Sequence, residues 1–315
     1  MTVLSLGEAI VEIVRLKLNT PHDKIGEYVG PFASGAPTIF IDAAAKFGAS
    51  SRLIGYVGDD KFGNLILKQL ERDSVSTSFL KRLPGYTTGT AFVSYFSNGS
   101  REFVFHLRHS AAGQLGPKDI LEKMIEDSDL LHIMGVTIQI NEKCRAACYK
   151  AVRLARKFDV KISFDPNIRR ELLDVSASLK AFHPVLKQAQ FILPSISEAT
   201  AIAGKADPED ASKILLRNGA QVVAIKMGKK GSLVAGPNMI ATVPAFRVKE
   251  ADPTGAGDVF DAAFLVSLLS GKTLRDSALF ANAAGALKVM RIGPTSGPLR
   301  KEVERFLSRK SSNIN

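Results

Sequence analysis

Asp252-Pro253-Thr254-Gly255-Ala256-Gly257-Asp258-Val259-Phe260-Asp261-Ala262-Ala263-Phe264 is a glycine-punctuated turn that runs straight into an apolar segment. From Val259 to Leu269 apolar side chains recur at helical spacing, and the run stops at Gly271, which predicts a helix beginning near Gly255. The first turn of a helix leaves backbone N–H groups without intrahelical acceptors, and the helix dipole adds partial positive charge there, so such a terminus attracts an anion. Gly255 and Gly257 allow a bulky anion to approach the main chain, with Ala256 between them. Asp258, in the same turn, is misplaced as an anion ligand but well placed to accept a proton. A base beside an anion cradle suggests phosphoryl transfer. The plainer alternative is that Asp258 only complements the positive helix end.

Working outward, the 315 residues are 45% apolar, enough for one large α/β domain or two small ones with a sizeable core, which excludes disordered and collagen-like classes. No apolar run approaches a bilayer span, and no basic segment with a signal-peptide core opens the chain, so no membrane association and a cytoplasmic location are expected. Cys144 and Cys148 fall at i, i+4 on an expected helix with no His or Cys cluster nearby, which reads as buried thiols rather than a metal site or a disulfide framework. The net charge of +11 comes from Lys and Arg spread along the chain without a basic arm or aromatic platform. Solvated faces and attraction for anionic substrates explain it better than nucleic acid.

Val3 to Gly7 is a short apolar run consistent with a buried strand that delivers Glu8 to the mouth of a sheet. Residues 19–34 are polar and turn-rich, and Ser34-Gly35-Ala36-Pro37 opens a periodic stretch from Ile39 to Phe47, so the backbone at Gly35 and Ala36 should lie open at a helix start. Between Thr87 and Leu107 two runs rich in aromatic and β-branched residues flank Asn98-Gly99, a strong hairpin signal, and Phe92, Phe96, Phe103 and Phe105 give that hairpin something to cover. From Leu130 strands and helices alternate: Leu130 to Met134, a helix over 141–157, Val160 to Phe164, a helix after Leu172, then Phe191 to Pro194. That is the rhythm of a parallel sheet, whose ligands bind outside the carboxyl ends of the strands. Those ends carry Gly135, the Asp165–Arg169 run and the Ser195–Glu198 run. The strand Val222 to Lys226 breaks into a Gly228-x-x-Gly231 turn of a shape that lets nucleotide phosphates approach the main chain. Only Ser308 to Asn315 reads as a frayed tail.

The Asp252–Asp258 turn resembles the second signature of the PfkB carbohydrate kinases, the ribokinase-like family, where a D-T-x-G-A-G-D turn forms the anion hole and its last Asp is the catalytic base; Pro253 stands here where Thr is usual. With Glu250-Ala251-Asp252-Pro253 the stretch looks most like the branch containing 2-keto-3-deoxygluconate kinases and tagatose-kinase-like proteins, and Leu53 to Gly63 resembles the first family signature. The resemblance, which spans nearly the whole chain, implies a single Rossmann-like α/β/α sandwich over residues 1–315, with a small β-sheet lid built from segments about 11–33 and 87–108.

It further implies that Glu8, Glu12, Gly35, Ala36, Asn167 and Arg169 meet the sugar, with Glu12 where the family uses an Asp and Ile39 where it often uses an Asn. Arg108, at the end of the lid, is expected beside the substrate as in the keto-acid branch, although it reads equally as a solvated strand-end Arg. Ser195, Glu198, Lys226, Gly228, Gly231 and Asn282 correspond to the ATP side, with Glu198 supporting magnesium indirectly. Ser195 replaces the usual Asn of that motif, and the small residues around Asn282 also suit close helix packing. Asp252, through its backbone, with Thr254 and the Arg291–Gly297 loop, corresponds to a monovalent-cation (K⁺) site. The expected activity is ATP- and Mg²⁺-dependent phosphorylation of a primary hydroxyl on a ketose or a 2-keto-3-deoxy sugar acid, with a homodimer through the lid as a further expectation. A catalytically silent sugar-binding regulator on the same fold, or a kinase for another sugar or a nucleoside, is the alternative.

Overall fold

A computed structural model describes residues 1–311. Its large sheet has nine strands in the order Met239–Val243, Ser232–Gly236, Val222–Lys226, Phe191–Ile192, Lys161–Asp165, Leu130–Met134, Thr2–Leu6, Ser50–Gly58 and Leu80–Leu83. The seven strands from Val222–Lys226 to Leu80–Leu83 are parallel, and the hairpin Ser232–Val243 adds an antiparallel edge. Side chains alternate between two cores, one on each face: Val3, Leu130 and Met134 pack into the first, Leu4, Leu6, Leu131 and Ile133 into the second. Burial on both faces is why these strands read as continuous apolar runs rather than as an alternation.

Helix Ala256–Leu269 is apolar nearly all round because it lies inside the first core, wedged between helices Ala36–Lys46 and Leu274–Val289. Phe264 is fully buried there, and burial of a side chain of that size contributes roughly 2–3 kcal/mol. Gly255 precedes the helix at φ 80°; a Cβ would stand 2.7 Å from the Pro294 carbonyl and 3.1 Å from Ile39, so both conformation and space require glycine.

A second sheet of four strands, in the order Tyr28–Ser34, Ile10–Arg15, Gly89–Tyr95 and Arg101–His106, stands over the carboxyl ends of the large one. The Asn98-Gly99 hairpin is present, with Gly99 at φ 83°. Tyr28–Ser34 corrects the turn-rich reading of residues 19–34: it is an edge strand, and Gly30 and Pro31 inside it are tolerated because an edge leaves ladder bonds unmade. Ser308 also departs from expectation, since residues 308–311 belong to helix Arg300–Ser311; the rest of the expected tail lies outside the described residues. Cys144 and Cys148 are buried free thiols on helix Glu142–Lys157. No helix among the described residues is long and apolar enough to cross a membrane.

The strand order turns at Thr2–Leu6: later strands continue through Ser50–Gly58 on one side and through Leu130–Met134 on the other. A crevice at such a point is where open α/β sheets take their ligands.

Candidate active site

Two strand ends and the Asp252–Asp258 turn converge on that crevice. Glu8 follows the strand Thr2–Leu6, Asn167 follows Lys161–Asp165, and Asp258 projects from the first turn of helix Ala256–Leu269. They line one cavity, with Glu12, Gly35, Ala36 and Arg169 from the expected sugar set and Gly255 from the turn. The lid closes its other wall with Ala91, Arg101, Phe103, Phe105 and Leu107.

Each polar group is held from behind. Glu8 is buried with one oxygen accepting from the Thr137 hydroxyl at 2.8 Å and the other from the Ala36 amide at 3.2 Å, so it ties the start of helix Ala36–Lys46 to the sheet. Glu12 accepts from the Ser34 hydroxyl at 3.0 Å. Asn167, in left-handed backbone at φ 38°, places its amide 3.5 Å from Asp258 Oδ1. Arg169 is positioned through its amide, which donates to Gln139 Oε1 at 2.9 Å, and its guanidinium lies 5.6 Å from the Phe103 ring centroid. Arg101 lies 5.7 Å from the same centroid. Glu12 Oε1, Asn167 Oδ1 and Thr254 Oγ1 are buried on this cavity and have no hydrogen-bond partner among the described residues. Buried polar atoms without partners are rare in native proteins, and three facing one space suit a ligand rich in hydroxyls.

Burial sets the electrostatics. It pushes Asp258 up to about 7, with the negative Asp165 adding to the rise, while Lys226, Arg169 and Arg101 pull the other way. Glu8 and Glu12 are likewise raised to about 7, chiefly by burial. Beneath Asp258 the Lys226 ammonium donates to Asp165 Oδ2 at 2.8 Å and to both oxygens of Asp261 at 3.0 and 2.9 Å. Asp165 is thereby held below the usual carboxylate range despite its burial, while burial drives Asp261 well above it. A carboxyl poised near neutral pH above such a fixed charge pattern has the properties of a general base.

Arg108 is not in this cavity. It lies in a turn two residues beyond the strand Arg101–His106, where it is exposed and donates to the Ile140 carbonyl at 3.3 Å, while Leu107 lines the cavity. Arg101 takes its place in the wall, and its signal was the strand's period of two, since Arg101, Phe103 and Phe105 share one face.

The residues assigned to ATP lie outside the cavity lining, and several carry contacts of their own. Both carboxylate oxygens of Glu198 are taken, one by the Ile168 amide at 2.8 Å and the other by the Ser195 amide and hydroxyl at 2.7 Å. Lys226 lies under the Gly255–Asp258 turn, paired with Asp165 and Asp261, with its ammonium 3.8 Å from where a side chain at Gly257 would begin. A Cβ at Gly231 would meet the Val243 carbonyl at 2.0 Å, so strand packing requires that glycine, whereas Gly228 faces open space. Asn282 donates to the carbonyls of Val243 and Pro244 at 3.0 and 3.2 Å. Asp252 accepts from the amides of Thr254 and Gly293 and from the Tyr95 hydroxyl, and its backbone carbonyl accepts from Lys288. Asp165 is marked by its place at a strand's carboxyl end, whereas Asp261, Tyr95 and Lys288 carry no motif that would assign them a role in the sequence.

A parallel sheet with this switch point, a four-stranded lid and an acidic residue in a glycine turn beneath it define a ribokinase-like protein. The chain belongs to the PfkB family of carbohydrate kinases and is an ATP-dependent sugar kinase: the family's model, "pfkB family carbohydrate kinase", matches residues 2–301. An E. coli structure described as a ribokinase II in complex with ATP and Mg²⁺ is 36% identical, with a TM-score of 0.91 over 98% of this chain and 99% of that one. A 2-dehydro-3-deoxygluconokinase of Thermoproteus tenax is 31% identical over 98% of this chain and 94% of its own. A fructokinase-2 of Oryza sativa subsp. japonica is 30% identical over 92% and 89%.

Proposed function

We propose that this kinase transfers the γ-phosphoryl group of ATP to a primary hydroxyl of a 2-keto-3-deoxy sugar acid. The observation that carries the reading is the pair Arg101 and Arg169: both line the cavity and neither makes an ion pair within 4 Å among the described residues, although both act on Asp258 at longer range. A guanidinium pairs a carboxylate bidentately, and two of them beside one aromatic wall form a grip for an anionic end group. The unpartnered oxygens of Glu12, Asn167 and Thr254 take the hydroxyls.

In this reading Asp258 removes the proton from the acceptor hydroxyl, and first-turn amides of Gly255 to Asp258 stabilise charge on the transferred group. The helix start fits a phosphate, since a side chain at Gly257 would meet nothing nearer than Lys226 Nζ at 3.8 Å. No cluster of three metal-ligating side chains occurs among the described residues, which fits a magnesium ion held by phosphate oxygens and water, with Glu198 acting only through the main chain it fixes. That ion would neutralise charge on the phosphates. The protein's own part is positioning and the exclusion of water beneath the lid.

A neutral ketohexose is the second reading. Its support is the likeness to a fructokinase and the two carboxyls, Glu8 and Glu12, that already face the cavity. Measurement of kcat/KM for 2-keto-3-deoxygluconate, fructose and tagatose on wild type, Arg101→Leu and Arg169→Leu separates the two. The acid reading expects the acid to be preferred and each variant to lose roughly 2–5 kcal/mol of transition-state binding on it, with far smaller losses on the ketoses. A wild-type preference of about tenfold for a neutral ketose would sink the guanidinium grip.

A further inference from the structure

Lys288 is the one lysine among the described residues whose side chain is wholly buried. It stands in the last turn of helix Leu274–Val289, where a lysine normally reaches for solvent. Its ammonium turns inward instead, donating to the Asp252 carbonyl at 2.9 Å and the Arg291 carbonyl at 3.4 Å, with Asp252 Oδ2 at 3.6 Å. The Asp252 carboxylate is itself fixed by the amides of Thr254 at 2.9 Å and Gly293 at 2.8 Å. Two carbonyl oxygens and a carboxylate are the kind of ligand set a hard cation takes after losing its water. Here a side-chain ammonium already fills it. An external ion at the same carbonyls would sit against a like charge in a desolvated space, so these residues do not fit the exchangeable K⁺ that the family resemblance implied.

The place matters because of what these carbonyls belong to. Asp252 opens the turn that ends in Gly255 and the anion helix, and the Arg291–Thr295 loop forms the wall behind it, with the Pro294 carbonyl against Gly255. Lys288 therefore joins turn and wall through one charge. We infer that Lys288 is a built-in cation for the anion turn: a positioning residue, tethered by its own backbone, that replaces an exchangeable monovalent ion and makes the kinase independent of one. This does not rest on which sugar is the acceptor.

The test compares thermal midpoints of the apo protein, and ATP turnover with whichever sugar it phosphorylates, in tetramethylammonium, lithium, potassium and ammonium chlorides at equal ionic strength. Wild type should differ by less than about twofold in turnover and show no ion-specific shift in midpoint. Lys288→Met should lose roughly tenfold or more in turnover in tetramethylammonium, regain most of it in potassium or ammonium, and gain thermal stability with those same two ions. Potassium stimulation of wild type by about fivefold or more would overturn the inference, as would a variant whose midpoint ignores the identity of the cation. If Lys288→Met does not fold, Lys288→Gln keeps an N–H donor at nearly the same reach without the charge and carries the same comparison. Should neither fold, the wild-type measurement alone decides.

Discussion

At the scale of single residues, the proposed acid–base chemistry rests on Asp258, whose carboxyl is raised to about 7 by burial and by Asp165. Only the ionised form accepts a proton, so kcat/KM should fall as pH drops through about 7, and Asp258→Asn should lower kcat by on the order of 10² to 10⁴ above that pH, the deficit shrinking as wild type protonates below it. Turnover close to wild type in a folded Asp258→Asn protein would remove the residue from the mechanism. The same burial has a thermodynamic sign. Because the folded state raises this pKa above its value in the unfolded chain, the proton favours folding at low pH, and that contribution is lost as pH rises through about 7. Above it a bare carboxylate stays buried, so Asp258→Asn should be more stable than wild type at pH 8 by on the order of 1–4 kcal/mol and gain little near pH 4; equal unfolding midpoints at both pH values would contradict this. Asp258 and Gly255 could be read from sequence because their roles follow from neighbours in the chain. Arg101 could have been, had the strand's period been counted from Phe103. Lys288 could not, since a lysine near a helix end looks like any solvated charge until the fold puts carbonyls around it.

At the scale of elements, the strands and helices of the large sheet were legible because burial on both faces leaves unbroken apolar runs between helical periods. The lid was legible only in half. Asn98-Gly99 announces its hairpin, while Tyr28–Ser34 hides behind Gly30 and Pro31, residues that an edge strand tolerates and a central one does not. The lid's inner face carries Arg101, Phe103 and Phe105 into the cavity wall. If it closes on the acceptor, a saturating sugar should protect the amides of residues 90–107 from hydrogen exchange in the kinase, while ATP alone protects them less. Exchange that is the same with and without sugar would make the sheet a static wall.

At the scale of the whole molecule, the parallel rhythm was visible in the chain but the strand order was not, because which strand neighbours Thr2–Leu6 depends on contacts more than a hundred residues apart. That order brings Glu8, Asn167 and Asp258 to one place. It also lets Tyr95, on the lid strand Gly89–Tyr95, donate its hydroxyl to Asp252 Oδ1 at 3.1 Å, a bond that crosses from the four-stranded sheet to the turn before helix Ala256–Leu269. On the proposed placement of acceptor and phosphate, the two ligands share a mechanical joint, and their affinities become one thermodynamic quantity. Whatever factor the acceptor applies to the dissociation constant of a non-hydrolysable ATP analogue, the analogue must apply to that of the acceptor. Calorimetric titration of each ligand in the presence of the other should return equal factors of roughly five or more for wild type and factors near one for Tyr95→Phe; a Tyr95→Phe protein with undiminished cooperativity would show that the message travels by another route.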